Sequence, residues 1–166
     1  DFTRLPSAES PLVTFHPLEP GATRQVQGRT IEALPAEHSV PAVGYAARGP
    51  DAKAPWWVFS GDTERNPAFW QRINQMPVAA LVIETAFSNR ERDLARLSRH
   101  LSPEVLGHEL AHIAPGRRHP IFITHTKPSE TDVILSEVMQ MAAGLQRPEG
   151  AALELRLLAA GDVFDI

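Results

Sequence analysis

The sequence contains no cysteine, which excludes disulfide bonds, thiolate metal ligands and a thiol nucleophile. Histidine, aspartate and glutamate are the side chains left to hold a metal ion. No apolar run approaches the roughly 18 residues that a membrane span requires. We therefore expect no membrane association, and we place the chain in the cytoplasm, with the periplasm as the alternative compartment.

The chain also lacks an excess of basic residues. Lysine and arginine number 16 against 20 aspartates and glutamates, which gives a formal net charge of -4. Such a chain has no positive field that attracts a polyanion over a distance, so nucleic-acid binding is not expected. Any phosphate that binds must be recognised by a local group of side chains.

The composition and the length predict one globular domain spanning residues 1 to 166. Apolar residues make up 43% of the chain, and its length is that of a single domain. The first third is rich in predicted strands, at residues 11 to 15, 24 to 34 and 42 to 47, with Gly21 and Gly28 as turn candidates. Strands and helices then alternate to the end of the chain, where residues 151 to 158 form a last predicted strand. This order predicts an α/β layered domain.

Polar residues follow three of the apolar strands at the point where each strand ends. They are Asp62 and Thr63 in "VFSGDT", Glu84 in "VIETAF", and His125 and Lys127 in "ITHTKP". Ligands of α/β sheets gather outside the carboxyl ends of the strands, so these residues are expected to face one site.

A different pattern, "HELAH", gives His108, Glu109 and His112 the H-E-x-x-H spacing of zinc peptidases. The elongated form of that motif requires a glycine three residues and a histidine six residues after the second histidine. Here Gly116 and His119 follow four and seven residues after it. The favoured interpretation is an exposed helix face, and a zinc peptidase is the alternative.

The competing set of candidate metal ligands lies in the segments between the predicted elements. It consists of His38, Asp62, Glu84, His100 and His125. A carboxylate and several imidazoles that project from separate strand ends can surround a divalent metal ion. Each residue alone is more often a turn former or a structural histidine, but the set together is more specific.

The segments that contain this set resemble the later motifs of the metallo-β-lactamase superfamily, from about residue 12 to the end of the chain. Within it they are most similar to the class II 3′,5′-cyclic-nucleotide phosphodiesterases, with ribonuclease Z as a near relative. The resemblance implies an αββα layered sandwich, of which this chain supplies mainly the C-terminal βα half. It rests on "HSVPAVGY", "VFSGDT", "LVIETAFSN", "HLSP" and "ITHTKP", in this order.

The resemblance also implies roles for the residues. Asp62 would bridge two divalent metal ions, with His38 as a ligand of one and His125 as a ligand of the other. His100 would contact a phosphate oxygen or protonate the departing ribose oxygen, which requires a positioned acid. Glu84 would orient His100.

The implied substrate is a cyclic nucleotide, cyclic AMP or cyclic GMP, hydrolysed to the 5′-nucleotide. A hydroxide activated by the two ions would attack the phosphorus. Lys127 and Thr63 would bind the substrate. Zinc is the expected metal, with manganese and iron as alternatives.

The H-x-H-x-D-H signature of the superfamily does not occur in this sequence. We therefore expect either the C-terminal portion of a longer enzyme or a non-catalytic homologue that acts as an interaction module. Half of a sandwich exposes an apolar sheet face, which predicts a homo-oligomer or a partner that covers it. Ribonuclease Z-like processing of tRNA 3′ ends is the other enzymatic alternative, and the acidic composition argues against it.

Overall fold

The computed structural model describes residues 4 to 7, 9 to 145 and 153 to 165. A seven-stranded mixed sheet dominates the fold, and a two-stranded sheet precedes it. The two-stranded sheet pairs β1 (Pro6–Ser7) with β2 (Ser10–Pro11). In order across the large sheet, the strands are β3 (Thr23–Val26), β4 (Arg29–Pro35), β5 (Val43–Arg48), β6 (Trp56–Phe59), β7 (Val78–Glu84), β8 (Ile121–Thr124) and β9 (Leu155–Leu157).

Helices occupy the connections in the second part of the chain. The first begins where its capping residues predict, since the Asn66 side chain accepts a hydrogen bond from the Phe69 N–H at 3.0 Å and Pro67 takes the first helical position. None of the described helices is long and apolar enough to cross a bilayer. They are α1 (Pro67–Ile73), α2 (Arg92–Ser98), α3 (Pro103–Leu110) and α4 (Thr131–Gly144), with a 3-10 turn at Asn89–Glu91 before α2.

Strand direction determines which loops meet. Strand β4 is antiparallel to β5, and β5 is antiparallel to β6, so β4 and β6 run the same way. Strands β6, β7, β8 and β9 pair in parallel. The carboxyl ends of β4, β6, β7 and β8 therefore lie at one edge of the sheet, where α/β proteins bind ligands.

The helices cover one face of the sheet and close the main apolar core there. In β6 the side chains alternate, so that Trp56 and Val58 are buried in this core while Trp57 and Phe59 point to the other face. The predicted α/β class is confirmed by this arrangement. The core joins residues of the sheet, including Leu34, Val58, Leu81, Ile121 and Ile123, to residues of the helices, including Phe69, Trp70, Leu106, Leu110 and Ile134.

The opposite face of the sheet carries aromatic side chains. The register pairs Tyr45 with Phe59, Phe59 with Val82, and Val82 with Phe122, which places these residues on one face. The Tyr45 side chain is 40% exposed. A half sandwich has such a face, and the partner or second copy expected to cover it stays a prediction.

The predicted strand at residues 11 to 15 is wrong. Strand β2 ends at Pro11, and residues 12 to 18 have no regular structure. The side chain of Phe15 in this segment is 77% exposed. Alternating apolar and β-branched residues favour an extended backbone, but no neighbouring strand of the described residues pairs with this segment. At the other end of the chain, residues 151 and 152 of the last predicted strand lie outside the described residues, and β9 covers Leu155–Leu157.

Candidate metal centre

A close contact between two backbone segments fixes the loop that carries Asp62. Gly61 has a φ of 65°, and a Cβ added to it would lie 2.5 Å from the carbonyl oxygen of Val43. A Cβ on Gly44 would likewise lie 2.6 Å from the carbonyl oxygen of Phe59. Only glycine fits both constraints at position 61, because it tolerates positive φ and brings no side chain into the gap. The turn after β6 is thereby held against β5, and Asp62 follows at the sheet edge.

Three of the predicted residues converge at this edge. One donor atom each of His38, Asp62 and His100 lies within 4.8 Å of the other two, and all three side chains are half-buried. His38 lies in the loop after β4, Asp62 after β6, and His100 directly after α2. Within the part of the chain that the structure describes, this is the one group of three donors close enough to share a metal ion.

Hydrogen bonds at Nδ1 orient both histidines. The Nδ1 atom of His38 lies 3.1 Å from the carbonyl oxygen of Arg99, and that of His100 lies 2.8 Å from Oε1 of Glu84. A carbonyl and a carboxylate only accept, so each Nδ1 donates its hydrogen. The Nε2 atom of each ring is therefore the nitrogen available to a metal ion or a substrate.

Glu84, the last residue of β7, is completely buried and fully hydrogen bonded. Its Oε1 accepts from His100 and from the Thr63 N–H at 3.1 Å. Its Oε2 accepts from the Ala86 N–H at 3.1 Å and the Leu101 N–H at 3.4 Å. These bonds hold the carboxylate in one orientation, with its Oε1 against Nδ1 of His100; the catalytic role expected for the pair stays a prediction.

The bond from Glu84 also changes the proton affinity of His100. Its hydrogen bond to the imidazole raises the pKa of His100 above the ordinary 6.5, against the opposing effect of burial. The charges of Glu84 and Asp62 raise the pKa further, and the charge of Lys127 lowers it. Lys127 and Asp62 are therefore both close enough to His100 to influence it.

His125 and Lys127 lie beside this cluster. The Nδ1 atom of His125 is 3.8 Å from Oδ1 of Asp62, and its ring stacks on that of His100 at a centroid distance of 5.3 Å. His125 has a φ of 63°, a conformation that is uncommon for residues other than glycine and that clusters at functional sites. The ammonium of Lys127 lies 3.6 Å from the centre of the Phe87 ring, a cation–π contact that fixes it near the histidines.

The expected substrate contact of Thr63 finds no support in this geometry. Its side chain is buried, and its hydroxyl accepts from the Glu37 N–H at 2.9 Å and donates to the Glu64 carbonyl at 3.0 Å. Both hydrogen-bonding functions of the hydroxyl are thus used inside the loop. Thr63 connects the loops that carry His38 and Asp62, and its contact with substrate stays a prediction.

The donor set suits a divalent metal ion. Two imidazoles and a carboxylate are ligands of zinc and of non-haem iron, and no thiolate restricts the choice. Asp62 is close to all three histidines, which is the arrangement that a bridging carboxylate requires. His125 adds a fourth donor beside this group, with its Nδ1 3.8 Å from Oδ1 of Asp62.

The H-E-x-x-H segment does not form a zinc site. Helix α3 ends at Leu110, so His112 lies beyond the helix and does not share its face with His108. Glu109 is only 2% exposed and accepts hydrogen bonds from the Asn66 N–H at 2.9 Å and the Trp70 Nε1–H at 2.7 Å. A peptidase needs this glutamate beside the metal-bound water. The zinc-peptidase interpretation is therefore wrong.

The structural roles of two residues were not predicted from the sequence. Glu109 anchors the start of α1 to α3, and its place in a peptidase-like pattern hid this structural role. Arg99 supplies the carbonyl that orients His38, across 61 residues of sequence. Neither contact leaves a signal in local sequence, because both join segments that are distant along the chain.

Comparison of the sequence with protein-family models and with curated proteins gives no match. Comparison of the structure with solved structures gives several. PDE1 of yeast is 15% identical to this chain in sequence, with a TM-score of 0.69. The match covers 86% of this chain and 47% of the PDE1 chain. The metallo-β-lactamase fold protein YhfI of Bacillus subtilis is 15% identical, with a TM-score of 0.65. This match covers 89% of this chain and 54% of the YhfI chain. Igni18 of Ignicoccus hospitalis, a metallo hydrolase, is 14% identical, with a TM-score of 0.56. This match covers 87% of this chain and 57% of the Igni18 chain.

The mixed sheet, the helices on one of its faces and the His and Asp cluster at its edge define an α/β protein with a candidate metal centre. The structural neighbours specify the fold further: the chain has the metallo-β-lactamase fold, as the motifs predict. It spans about half the length of the solved structures named above. This partial coverage fits the expected C-terminal part of the fold.

Proposed function

We propose that this chain belongs to a metal-dependent hydrolase that converts 3′,5′-cyclic nucleotides to 5′-nucleotides. The observation that carries the proposal is the convergence of His38, Asp62 and His100 within 4.8 Å of one another, with His125 beside Asp62. The motifs that contain these residues resemble those of class II phosphodiesterases. A metallo hydrolase among the structural neighbours supports hydrolysis as the kind of reaction, although fold alone never specifies a substrate.

We assign the metal ligands as His38, Asp62 and His125. Asp62 lies near both histidines and would bridge two ions, so each ion would take two of its ligands from the described residues and the rest from outside them. Bound divalent metal supplies a water of lowered pKa and neutralises negative charge on the phosphate. Zinc is the proposed metal, with manganese and iron as alternatives that the donor set also suits.

His100 is assigned as the proton donor to the departing ribose oxygen. A nitrogen that binds a metal must be unprotonated, whereas the Glu84 hydrogen bond raises the pKa of His100 and favours its protonated form. The three-donor cluster places His100 within 4.8 Å of the ligand atoms of His38 and Asp62. The proton donor would thus stand directly beside the metal, with Glu84 holding its ring.

Lys127 is assigned to the phosphate. Its ammonium lies over the Phe87 ring, and this contact holds the charge beside the cluster. An ammonium in this position would contact a non-bridging phosphate oxygen and orient the phosphodiester.

Hydrolysis of cyclic AMP and cyclic GMP by the enzyme that contains this chain, in the presence of zinc, manganese or iron, tests the proposal. Asp62→Asn removes the central carboxylate charge and should abolish turnover, while the control His108→Ala should leave it unchanged. Turnover that survives in Asp62→Asn contradicts the site. Specific binding of precursor tRNA in a gel-shift assay, without hydrolysis of cyclic nucleotides, would favour tRNA 3′ processing instead.

A further inference from the structure

One residue connects two of the histidines at the candidate metal centre. Arg99 ends helix α2 in the left-handed conformation, with φ 56° and ψ 57°, and His100 follows it. The Arg99 N–H bonds to the Arg96 carbonyl at 3.3 Å, and the His100 N–H bonds to the Ala95 carbonyl at 2.9 Å. The left-handed residue thus turns the chain out of the helix and directs its own carbonyl away from the helix axis.

That carbonyl meets His38. The His38 Nδ1–H donates to the Arg99 carbonyl at 3.1 Å, and Arg99 Nη1 donates back to the His38 carbonyl at 3.2 Å. The guanidinium also lies 3.7 Å from a carboxylate oxygen of Glu37. Backbone and side chain of Arg99 together hold the loop after β4 against the end of α2.

We propose that Arg99 is a positioning residue of the metal centre, whose left-handed backbone selects the His38 tautomer that offers Nε2 to the metal. This inference rests on the proposed function, since it takes His38 as a metal ligand.

The physical reason is the chemistry of the acceptor. A carbonyl oxygen cannot donate, so the bond forms only when His38 carries its hydrogen on Nδ1, which leaves the lone pair on Nε2. Imidazole in water favours the opposite tautomer, so the bond to Arg99 works against the intrinsic preference. A fixed tautomer and ring orientation raise metal affinity, and loss of the group that fixes them typically weakens binding about 10–100-fold.

The choice of arginine supports a role at the site. Glycine is the residue that adopts this backbone conformation without strain, and arginine adopts it at a cost. Non-glycine residues in left-handed conformations occur preferentially at functional sites, where the surroundings enforce them. Here the guanidinium contacts with the His38 carbonyl and Glu37 provide that enforcement.

Nuclear magnetic resonance of the ¹⁵N-labelled, metal-free chain tests the proposal through the His38 tautomer. The wild type should show the Nδ1–H form. Arg99→Val, whose β-branched side chain disfavours positive φ, should shift His38 towards the Nε2–H form. Arg99→Asn, which adopts the left-handed conformation more readily, should retain the Nδ1–H form. Arg96→Val is the matched control, since it places the same side chain in the same helix away from the left-handed position.

Zinc titration of the same proteins gives the second readout. Zinc affinity should fall about 10–100-fold in Arg99→Val and stay near the wild-type value in Arg96→Val. An Nε2–H tautomer in the wild type, or an unchanged His38 tautomer in a folded Arg99→Val, would overturn the positioning role. If Arg99→Val does not fold, Arg99→Ala provides the same comparison, because alanine has the smallest side chain that still carries a Cβ. A wild type that binds no zinc yet shows the predicted tautomer shifts would refute the proposed function and leave the positioning of His38 established.

Discussion

The Nδ1 atom of His100 lies 2.8 Å from Oε1 of Glu84, a carboxylate that is completely buried and that three backbone N–H groups also bond. Because these bonds hold Glu84 in one orientation, it positions the imidazole of His100 at the sheet edge. The same bond raises the pKa of His100. One carboxylate therefore both positions the imidazole and favours its protonated form.

Glu84→Gln should lower the pKa of His100 towards 6.5, because the amide keeps the shape of the carboxylate and removes its charge. An NMR titration of the metal-free protein measures this shift. We expect slower turnover of cyclic nucleotide with unchanged metal occupancy, since none of the three assigned metal ligands is altered. Glu154→Gln is the matched control, as Glu154 pairs with Arg156 near β9. An unchanged His100 pKa in Glu84→Gln would contradict the role of the pair.

The raised pKa of His100 also predicts how stability depends on pH in the metal-free protein. A group whose folded-state pKa is raised stabilises the fold fully below its unfolded value, near 6.5, and loses this contribution as the pH rises through the folded-state pKa. The free energy of unfolding of the wild type, relative to that of Glu84→Gln, should therefore fall as the pH rises above 6.5. Urea unfolding at several pH values tests this, and a difference that grows with pH would refute it.

Gly61→Ala should destabilise the fold and weaken metal binding, because the new Cβ would lie 2.5 Å from the Val43 carbonyl oxygen and displace the Asp62 loop. Gly28→Ala is the matched control, since Gly28 also has positive φ, 79°, but has no atom within 4 Å of an added Cβ. The backbone cost shared by both variants is about 1–2 kcal/mol. The clash in Gly61→Ala should add a further ~1–3 kcal/mol in denaturant unfolding. Equal destabilisation by the two substitutions would show that the close contact is unimportant.

Glu109→Ala should destabilise the protein without changing metal binding. The substitution leaves the buried N–H groups of Asn66 and Trp70 without their acceptor, at about 1–3 kcal/mol each. Loss of the ion pair with Arg65 should add little to this destabilisation, because the Arg65 side chain is exposed. His108→Ala on the same helix should change stability by no more than about 0.5 kcal/mol. Metal binding that disappears in His108→Ala would restore the peptidase interpretation.

The residues of the site that lie at the carboxyl ends of strands were predictable from the sequence. Asp62, Glu84 and His125 each follow an apolar strand, and parallel neighbours in the sheet necessarily bring such ends together. The hairpin at Gly28 and the start of α1 at Asn66 were predictable for a different reason, since local backbone chemistry determines them.

Contacts between distant segments were not predictable. The burial of Glu109 depends on how α3 packs against α1, and the orientation of His38 depends on a carbonyl 61 residues away. The strand prediction for the exposed segment of residues 12 to 18 was wrong for a related reason. The local pattern favours a strand, but no described strand lies beside the segment to pair with it. Local pattern specifies elements, whereas tertiary packing decides which polar groups are buried.

Calorimetric titration of the chain with zinc tests the central claim most directly. We predict that the wild type and His112→Ala bind zinc, and that Asp62→Asn and His38→Gln bind it far more weakly. Binding that is equal in the wild type and Asp62→Asn, or that is lost in His112→Ala, would contradict a metal centre built on His38 and Asp62 at the edge of the sheet.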